Sequence, residues 1–275
     1  MKNKANIVLS FVMIAVVSIF IAPVIIVIMN SFKGQFYIST SPFAFPNEVT
    51  FAGLENFKNG IIKTNFFQAF GYSLWITVAS TVMLILCCSM TAWFLLRWKT
   101  RLSKVFYYLL LFSMVVPFQM VMFTMSKIAN LLYMENPFGI VIFYLGFGAG
   151  LCVFLYHGFI KGIPKSIEEA AEIDGCSSFQ TFFMVIFPLL KPITTTVAVL
   201  NVMWIWNDYL LPYLIIGSKY QTLPVAIQYL QGGYGSRDMG ALMAMLVLAI
   251  IPVIAFYIFA QKHVISGVIA GAVKE

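Results

Sequence analysis

The stretch IVLSFVMIAVVSIFIAPVIIVIM, residues 7–29, decides the class of fold. It carries no charged side chain, and about 20 apolar residues suffice for a helix to cross about 30 Å of hydrocarbon. Lys2 and Lys4 precede it as in a secretory signal peptide. However, the run is too long for the apolar part of such a peptide, and no small-x-small cleavage site follows it. We therefore predict a first transmembrane helix that also directs insertion.

Further apolar runs of similar length follow along the chain, at 72–96, 105–125, 138–159, 193–216 and 241–260. With 7–29 they predict an all-α, polytopic transmembrane bundle of about six spans, forming a single domain over residues 1–275. The third run is the weakest, because Pro117 and Gln119 interrupt it. We expect a kinked helix there, since neighbouring helices can satisfy the freed backbone groups.

The composition excludes an ordinary soluble domain. Hydrophobic residues make up 61% of the chain and charged residues only 10%, whereas about a quarter of a soluble domain is charged. The net charge of +7 does not indicate nucleic-acid binding, because the basic residues lie at the ends of apolar runs. The four cysteines lack the spacing of a disulfide framework or a metal site. The predicted surroundings are a lipid bilayer, with no nucleic acid as partner.

Lysine and arginine predict the orientation. With the N-terminus inside, eleven of them fall in cytoplasmic segments and six in outside segments, which is the expected excess on the cytoplasmic side. Both termini are therefore predicted to be cytoplasmic. Of the outside segments, 30–70 contains an amphipathic stretch that we expect at the membrane interface. The segment 217–240 is rich in glycine and tyrosine and predicts a protruding loop.

The segment from Lys161 to Lys191 reads KGIPKSIEEAAEIDGCSSFQTFFMVIFPLLK and predicts two short helices. Ser166 with Glu169 has the spacing of a capping box, and Gly175 would end the first helix about two turns later.

Ser177 with Gln180 offers a second helix start. From Phe179 onward, apolar side chains recur at the spacing i, i+3, i+4 and i+7, which places them on one helix face. They are Phe179, Phe182, Phe183 and Ile186. Pro188 should then stop this helix before the fifth span. The segment is thus predicted to be a compact helix-turn-helix against the bundle.

The first of these helices concentrates negative charge. Four of the ten acidic residues of the chain lie within seven positions: Glu168, Glu169, Glu172 and Asp174. Ala170 and Ala171 beside them are small enough to let another backbone come close. Two interpretations are open, a docking surface for a partner and a solvated helix face.

The stretch EAAEIDG at 169–175, followed by VIFP at 185–188, resembles the EAA motif of ABC-importer permeases. Phe187 departs from the usual leucine, and Cys176 stands where alanine is common. WND at 206–208, TLP at 222–224 and the tail SGVIAGAVKE extend the resemblance over nearly the whole chain. Together they resemble the smaller six-helix membrane subunit of the carbohydrate, maltose-type, branch of this family, with its ABC type I importer permease fold.

The resemblance implies a bacterial cytoplasmic membrane location and several partners. These are a second homologous permease subunit, two ATPase subunits and an extracytoplasmic sugar-binding protein. The short helix would sit in a cleft of an ATPase subunit, through Glu168, Glu169, Ala170, Ala171, Asp174 and Gly175. Glu169 would meet a basic side chain there. By family position, Gly232, Gly233 and Tyr234 would face the binding protein, and the tail from Ser266 would run along the ATPase subunits.

The nucleotide chemistry is assigned to a partner. The sequence contains no GxxxxGK[ST] segment, the loop that cradles nucleotide phosphates. We therefore expect no cofactor in this chain, with ATP and Mg bound by the partner ATPase, and no enzymatic activity of its own.

Five residues are candidates for a translocation path: Gln119, Trp204, Asn207, Asp208 and Tyr209. An ionisable group within a span is costly and marks a pathway or an interhelical pair. Aromatic rings beside hydrogen-bonding groups suit a sugar, which offers both C–H faces and hydroxyls. The alternative is that Asn207 and Asp208 cap or join helices near the outer interface.

The predicted function is a permease subunit that forms half of the path for a mono- or oligosaccharide. An ABC permease for another small solute is the first alternative. A secondary transporter would show inverted repeats and more intramembrane ionisable groups. A membrane enzyme would need a clustered nucleophile, base or metal set, and the sequence indicates none.

Overall fold

The computed structural model describes residues 2–231 and 237–272, with side chains described for 6, 9–231 and 237–261. Within those residues the regular elements are all helices, which confirms the predicted all-α class. In chain order they are α1 (Lys2–Ser31), α2 (Gln35–Thr40), α3 (Glu55–Lys63), α4 (Phe66–Arg97), α5 (Arg101–Ser113), α6 (Phe118–Leu131), α7 (Gly139–Ile160), α8 (Ser166–Ile173), α9 (Ser178–Leu189), α10 (Lys191–Trp206), α11 (Leu210–Ile215), α12 (Leu223–Tyr229) and α13 (Met239–Ala272).

Continuous helices correspond to four of the predicted spans. The stretches long and apolar enough to cross a membrane are Leu9–Ser31, Phe66–Arg97, Gly139–Ile160 and Met239–Gln261. Two pairs of shorter helices, α5 with α6 and α9 with α10, pass the same test together but are sharply bent. The described residues therefore contain four candidate spans, or six if each bent pair is one span.

The third predicted span is interrupted at Pro117 as expected, but by a break between two helices rather than by a kink within one. Helix α5 ends at Ser113, α6 begins at Phe118, and their axes differ by 105°. Pro117 stands just before α6 with an extended backbone (ψ 134°). Proline cannot donate a backbone hydrogen bond, and it disfavours helical conformation in the residue before it. The chain therefore leaves the helix here.

The predicted fifth span, 193–216, is also divided. Helix α10 ends at Trp206, and α11 resumes only at Leu210. The predicted stop at Pro188 is found to within one residue, because α9 ends at Leu189 and a bend of 77° separates it from α10. The preceding residues Thr181–Ile186 are π-helical. Pro188 stands in the first turn of the α-helical piece Phe187–Leu189 that follows, a position that tolerates proline.

The chain divides into two compact units. The first comprises Met1–Ala69 with Leu223–Pro252, and the second comprises Phe70–Thr222 with Val253–Glu275. In the second unit, α7 is the most buried of the continuous spans. Two of its glycines allow close packing: a Cβ on Gly150 would lie 2.6 Å from the carbonyl oxygen of Leu110, and one on Gly148 would lie 2.7 Å from Leu84.

Candidate functional site: the acidic helix and its anchor

Helix α8 begins and ends where the sequence predicts, although its start is built differently. Backbone amides of Glu168 and Glu169 donate to the carbonyl of Lys165, which already has helical backbone angles. Ser166 is thus the first residue of the helix, and the N-cap residue is Lys165, whose side chain makes no capping hydrogen bond. The predicted capping box of Ser166 with Glu169 was therefore wrong. At the other end Gly175 has φ +84°, a conformation that favours glycine after a helix.

The second predicted capping box is present. The side chain of Gln180 accepts the backbone amide of Ser177 at 2.8 Å, and Ser177 Oγ accepts the backbone amide of Gln180 at 3.4 Å. The apolar face predicted to follow is only partly buried. Phe182 and Ile186 are buried, whereas Phe179 is exposed. The π-helical turn changes the number of residues per turn, so the 3.6-residue spacing no longer describes one face.

The predicted ATPase-coupling residues divide between two faces of α8. Glu168 and Ala171 are buried. Glu169, Ala170, Asp174 and Gly175 are exposed, and so is Glu172. The exposed edge also carries Ile173, whose side chain is 86% exposed. Sequence reasoning missed this residue, although an isoleucine between two acidic residues was a signal. The exposed face of α8 thus combines negative charge with one protruding apolar group.

Glu168 is engaged within the chain. Its Oε1 accepts a hydrogen bond from Arg97 Nε at 2.8 Å and forms an ion pair with Arg97 Nη2. Its Oε2 accepts from Trp93 Nε1 at 3.1 Å. Arg97 Nη2 also donates to the carbonyl of Ile163, 3.2 Å away, in the turn just before α8. Both carboxylate oxygens are thus used to hold α8 against the end of α4.

Arg97 is one of the eleven basic residues that the orientation analysis counted as cytoplasmic, and the sequence indicated no other role for it. Its partner lies 71 positions away, so no local pattern in the sequence joins them. The ion pair is shielded, with side-chain exposures of 16% for Arg97 and 10% for Glu168. A shielded ion pair of this kind is stable only if its remaining hydrogen-bonding groups are satisfied. Here Trp93 satisfies Glu168, and the carbonyl of Ile163 satisfies Arg97.

A cleft of about 480 Å³ opens beside this anchor. Trp93 and Phe94 of α4 line it together with Trp98, which follows α4, and Glu169 and Glu172 line it from α8. The carboxylates of Glu169 and Glu172 border this cleft together with the basic side chain of Lys165. Of the four acidic residues, Glu168 therefore anchors the helix while Glu169 and Glu172 remain available.

The candidate path residues are brought together only in part. Asp208 Oδ2 accepts a hydrogen bond from Tyr144 Oη at 2.9 Å, which joins the end of α10 to α7. Asp208 Oδ1 accepts the backbone amide of Leu210 at 3.0 Å, at the start of α11. Trp204 packs edge-on against the Tyr144 ring, with centroids 5.5 Å apart. These are the bonds expected of the helix-capping alternative, and the path role of Asp208 stays a prediction.

The other candidate path residues do not share the contacts described for Asp208. Asn207 donates to the Met203 carbonyl at 2.7 Å within its own helix. Tyr209 stacks on Tyr213. Gln119 is exposed near the start of α6. Gly232, Gly233 and Tyr234 lie outside the described residues.

Replacing Asp208 with asparagine distinguishes the two interpretations. If Asp208 caps α11 and joins it to α7, we expect Asp208→Asn and Tyr144→Phe each to lower stability by about 1–3 kcal/mol, because each weakens a hydrogen bond to a charged group. The double variant should lose less stability than the sum of the two single losses, since both substitutions affect the same hydrogen bond between Tyr144 and Asp208. Thermal unfolding of the assembled transporter measures this, with Asn207→Ala as control. Strictly additive losses of stability would contradict the hydrogen bond between Tyr144 and Asp208. A lower uptake rate at unchanged stability would favour the path role.

Comparison with known proteins shows which family this chain belongs to. Residues 85–269 match the family described as "Binding-protein-dependent transport system inner membrane component". A permease protein of a starch degradation products transport system from Thermoanaerobacterium thermosulfurigenes is 42% identical over 270 residues, covering 97% of this chain and 96% of that protein. A permease protein of a multiple sugar-binding transport system from Streptococcus mutans is 35% identical, covering 99% of each.

A melibiose/raffinose/stachyose import permease protein from Bacillus subtilis is 34% identical, covering 92% of this chain and 91% of that protein. Among solved structures, a chain of a bacterial ABC transporter involved in the import of the acidic polysaccharide alginate has the same fold. Its TM-score is 0.76 at 19% identity, covering 94% of this chain and 96% of that one.

The chain is a multi-pass membrane protein with several apolar helices, and it shares the fold of that importer chain. The chain belongs to the family of binding-protein-dependent transport system inner membrane components. It is the membrane permease of an ABC importer, and the predicted family and fold are confirmed.

Proposed function

We propose that this permease carries a mono- or oligosaccharide and forms half of its path with a second, homologous permease subunit. The sugar assignment rests on relatives of 34–42% identity whose names refer to starch degradation products, multiple sugars and melibiose. A sugar-binding protein outside the membrane delivers the substrate, and residues 232–234 face it. Both termini lie in the cytoplasm of a bacterial cell, and the whole chain acts as one permease domain.

We further propose that α8 couples the permease to ATP hydrolysis. Two ATPase subunits bind ATP and Mg, and one of them receives α8 in a cleft, with the tail from Ser266 extending along them. The observation that carries this proposal is the division of α8 into a face anchored by Glu168 and a face that exposes Glu169 and Ile173. Because the anchor reaches α4, movement of α8 with the ATPase would move a transmembrane helix as a rigid body.

Uptake of labelled sugars tests the substrate class. In a strain that lacks this chain but retains its partner subunits, we expect uptake of one glycoside from a panel of maltodextrins, melibiose and raffinose to fall to background. Re-expression of the chain should restore it. A matched strain with an inactive ATPase subunit should show the same loss. Uptake of every sugar at the parental rate, with loss of uptake of an amino acid or another solute, would overturn the sugar assignment.

A further inference from the structure

Three hydrogen bonds join helix α7 to helix α10, both of which belong to the second compact unit. Each connects a side chain of α7 with a side chain on α10 or just past its end. They run, donor first, from Tyr144 Oη to Asp208 Oδ2 at 2.9 Å, from Asn201 Nδ2 to Cys152 Sγ at 3.1 Å, and from Tyr156 Oη to Thr194 Oγ1 at 3.0 Å. We call these three hydrogen bonds the polar ladder.

On α7 the residues of the polar ladder follow one face of the helix. Tyr144, Cys152 and Tyr156 are fully buried and are spaced by multiples of four residues, which places side chains on successive turns of the same face. Gly148 occupies the remaining position of this series, and a Cβ there would lie 3.4 Å from Asn201 Oδ1. From Tyr144 to Tyr156 the helix rises about 18 Å, more than half of the hydrocarbon thickness of about 30 Å.

The partners on the other helix recur every seven residues, at Thr194, Asn201 and Asp208. A seven-residue repeat is the spacing at which one helix keeps contact with a neighbouring helix. Asn201, the central partner, is 4% exposed, and its Nδ2 also donates to the Val197 carbonyl at 2.8 Å in its own helix. Buried polar side chains of this kind join helices within a membrane. Sliding of α10 along α7 by one turn would break all three bonds, so the polar ladder fixes the register of the pair.

The polar ladder connects the segment around α8 with the break after α10. Residues 161–190, which contain α8 and α9, link the end of α7 to the start of α10. The bond between Tyr156 and Thr194 lies nearest to this segment, and the bond to Asp208 lies at the break that follows α10. Because coupling between distant positions is carried by contiguous packed side chains and hydrogen bonds, a movement of α8 reaches this break only if α7 and α10 keep their register.

We propose that the polar ladder makes α7 and α10 move as one body during transport, with Asn201 as the positioning residue that holds their register. The movement of α8 then reaches residues 207–209 without being lost through sliding of one helix along the other. This inference rests on the proposed coupling role of α8. It adds the side chains that transmit the movement through the membrane.

Replacing Asn201 with cysteine tests this in the assembled transporter, reconstituted into vesicles. In the background, Cys87, Cys88 and Cys176 are replaced by alanine with uptake retained, so Cys152 is the remaining native cysteine. In the reduced Asn201→Cys transporter we expect sugar uptake per ATP hydrolysed to fall about threefold or more, since an interhelical hydrogen bond is lost. Iodine, a small apolar oxidant, then joins positions 152 and 201: two thiols and I₂ give one S–S bond and two HI. Because this bond restores the register, uptake per ATP should recover most of the background value.

Three results of this experiment would overturn the proposal. Oxidation that leaves uptake per ATP unchanged, or lowers it until dithiothreitol is added, would mean that a fixed register does not serve transport. A reduced variant that transports like the background would mean that Asn201 does not position the helices. Failure of positions 152 and 201 to join would contradict the register itself. Trypsin cleavage in denaturant after Lys161 and Lys165, which lie between the two positions, shows whether they are joined.

A second variant tests another bond of the polar ladder with a smaller change. Thr194→Val removes the hydroxyl that accepts from Tyr156 and nearly keeps the shape of the side chain. Thr195→Val is the matched control, because Thr195 Oγ1 donates to the Lys191 carbonyl within its own helix. We expect uptake per ATP hydrolysed to fall about threefold in the first variant and to stay unchanged in the second. Equal values in the two variants would count against the polar ladder.

Co-purification of the ATPase subunits separates this inference from the coupling role of α8. In the variants of Asn201 and Thr194 we expect the ATPase subunits to stay bound. If Glu169→Lys leaves both ATPase binding and uptake unchanged, the coupling role of α8 fails. If Glu169→Lys abolishes them while Asn201→Cys and Thr194→Val change nothing, only the polar ladder inference fails.

Discussion

Replacing Glu169 with lysine is expected to abolish transport while the permease remains folded and inserted. The side chain is exposed on α8 and borders the open cleft, so the change removes no contact within the chain. Against a basic group of the ATPase subunit, the lysine would replace an attraction with a repulsion. Loss of a desolvated charge pair at an interface costs about 2–5 kcal/mol, so the affinity for the ATPase subunit should fall about 30-fold or more. Co-purification of the ATPase with the permease and sugar uptake measure the two effects.

Glu172→Lys compares the two exposed carboxylates of this cleft, since Glu172 lies on the same helix three residues further on. If the position of the charge matters, this variant should weaken ATPase binding much less than Glu169→Lys. Equal losses would indicate that only the net charge of α8 counts. Normal ATPase binding and uptake in Glu169→Lys would disprove the coupling role.

Replacing Arg97 with alanine should uncouple the transporter without preventing its assembly. The change leaves the carboxylate of Glu168 shielded and unpaired, and breaking a buried pair in this way costs about 3–5 kcal/mol. Because α8 is a helix of eight residues, most of them exposed, we expect local release of α8 rather than global unfolding. ATP hydrolysis should then persist while sugar uptake falls by a factor on the order of ten or more. Hydrogen exchange across residues 166–173 of the assembled transporter should accelerate.

Two further variants separate the anchor from a general loss of stability. Trp93→Phe removes one hydrogen bond to Glu168 and keeps the ring, so it should cost only about 1 kcal/mol and leave uptake largely intact. Exchanging the charges, with Arg97→Glu and Glu168→Arg together, should recover part of the lost uptake. Unchanged hydrogen exchange in Arg97→Ala would contradict the anchoring of α8 by this pair.

Sequence patterns predicted much of this architecture because the deciding features are local. Four long apolar runs became continuous helices, since a helix in lipid satisfies its backbone groups without distant partners. Gly175 and the Ser177–Gln180 box also act over a few residues, and both are found as predicted. The two divided spans show the limit of this reasoning, because hydropathy counts apolar residues and does not register where the backbone turns.

By itself, then, the sequence determined that the chain is a helical membrane protein and, through the EAA resemblance, which family it belongs to. Only the tertiary structure decided which acidic residue is an anchor and which remains exposed, because Glu168 finds Arg97 71 positions away. The pairing of Tyr144 with Asp208, 64 positions apart, has the same origin. Such partners are set by how helices pack in three dimensions, and neither composition nor periodicity records that packing. The acidic cluster was visible in the sequence, but the sequence did not show that Glu168 is bonded within the chain while Glu169 is exposed.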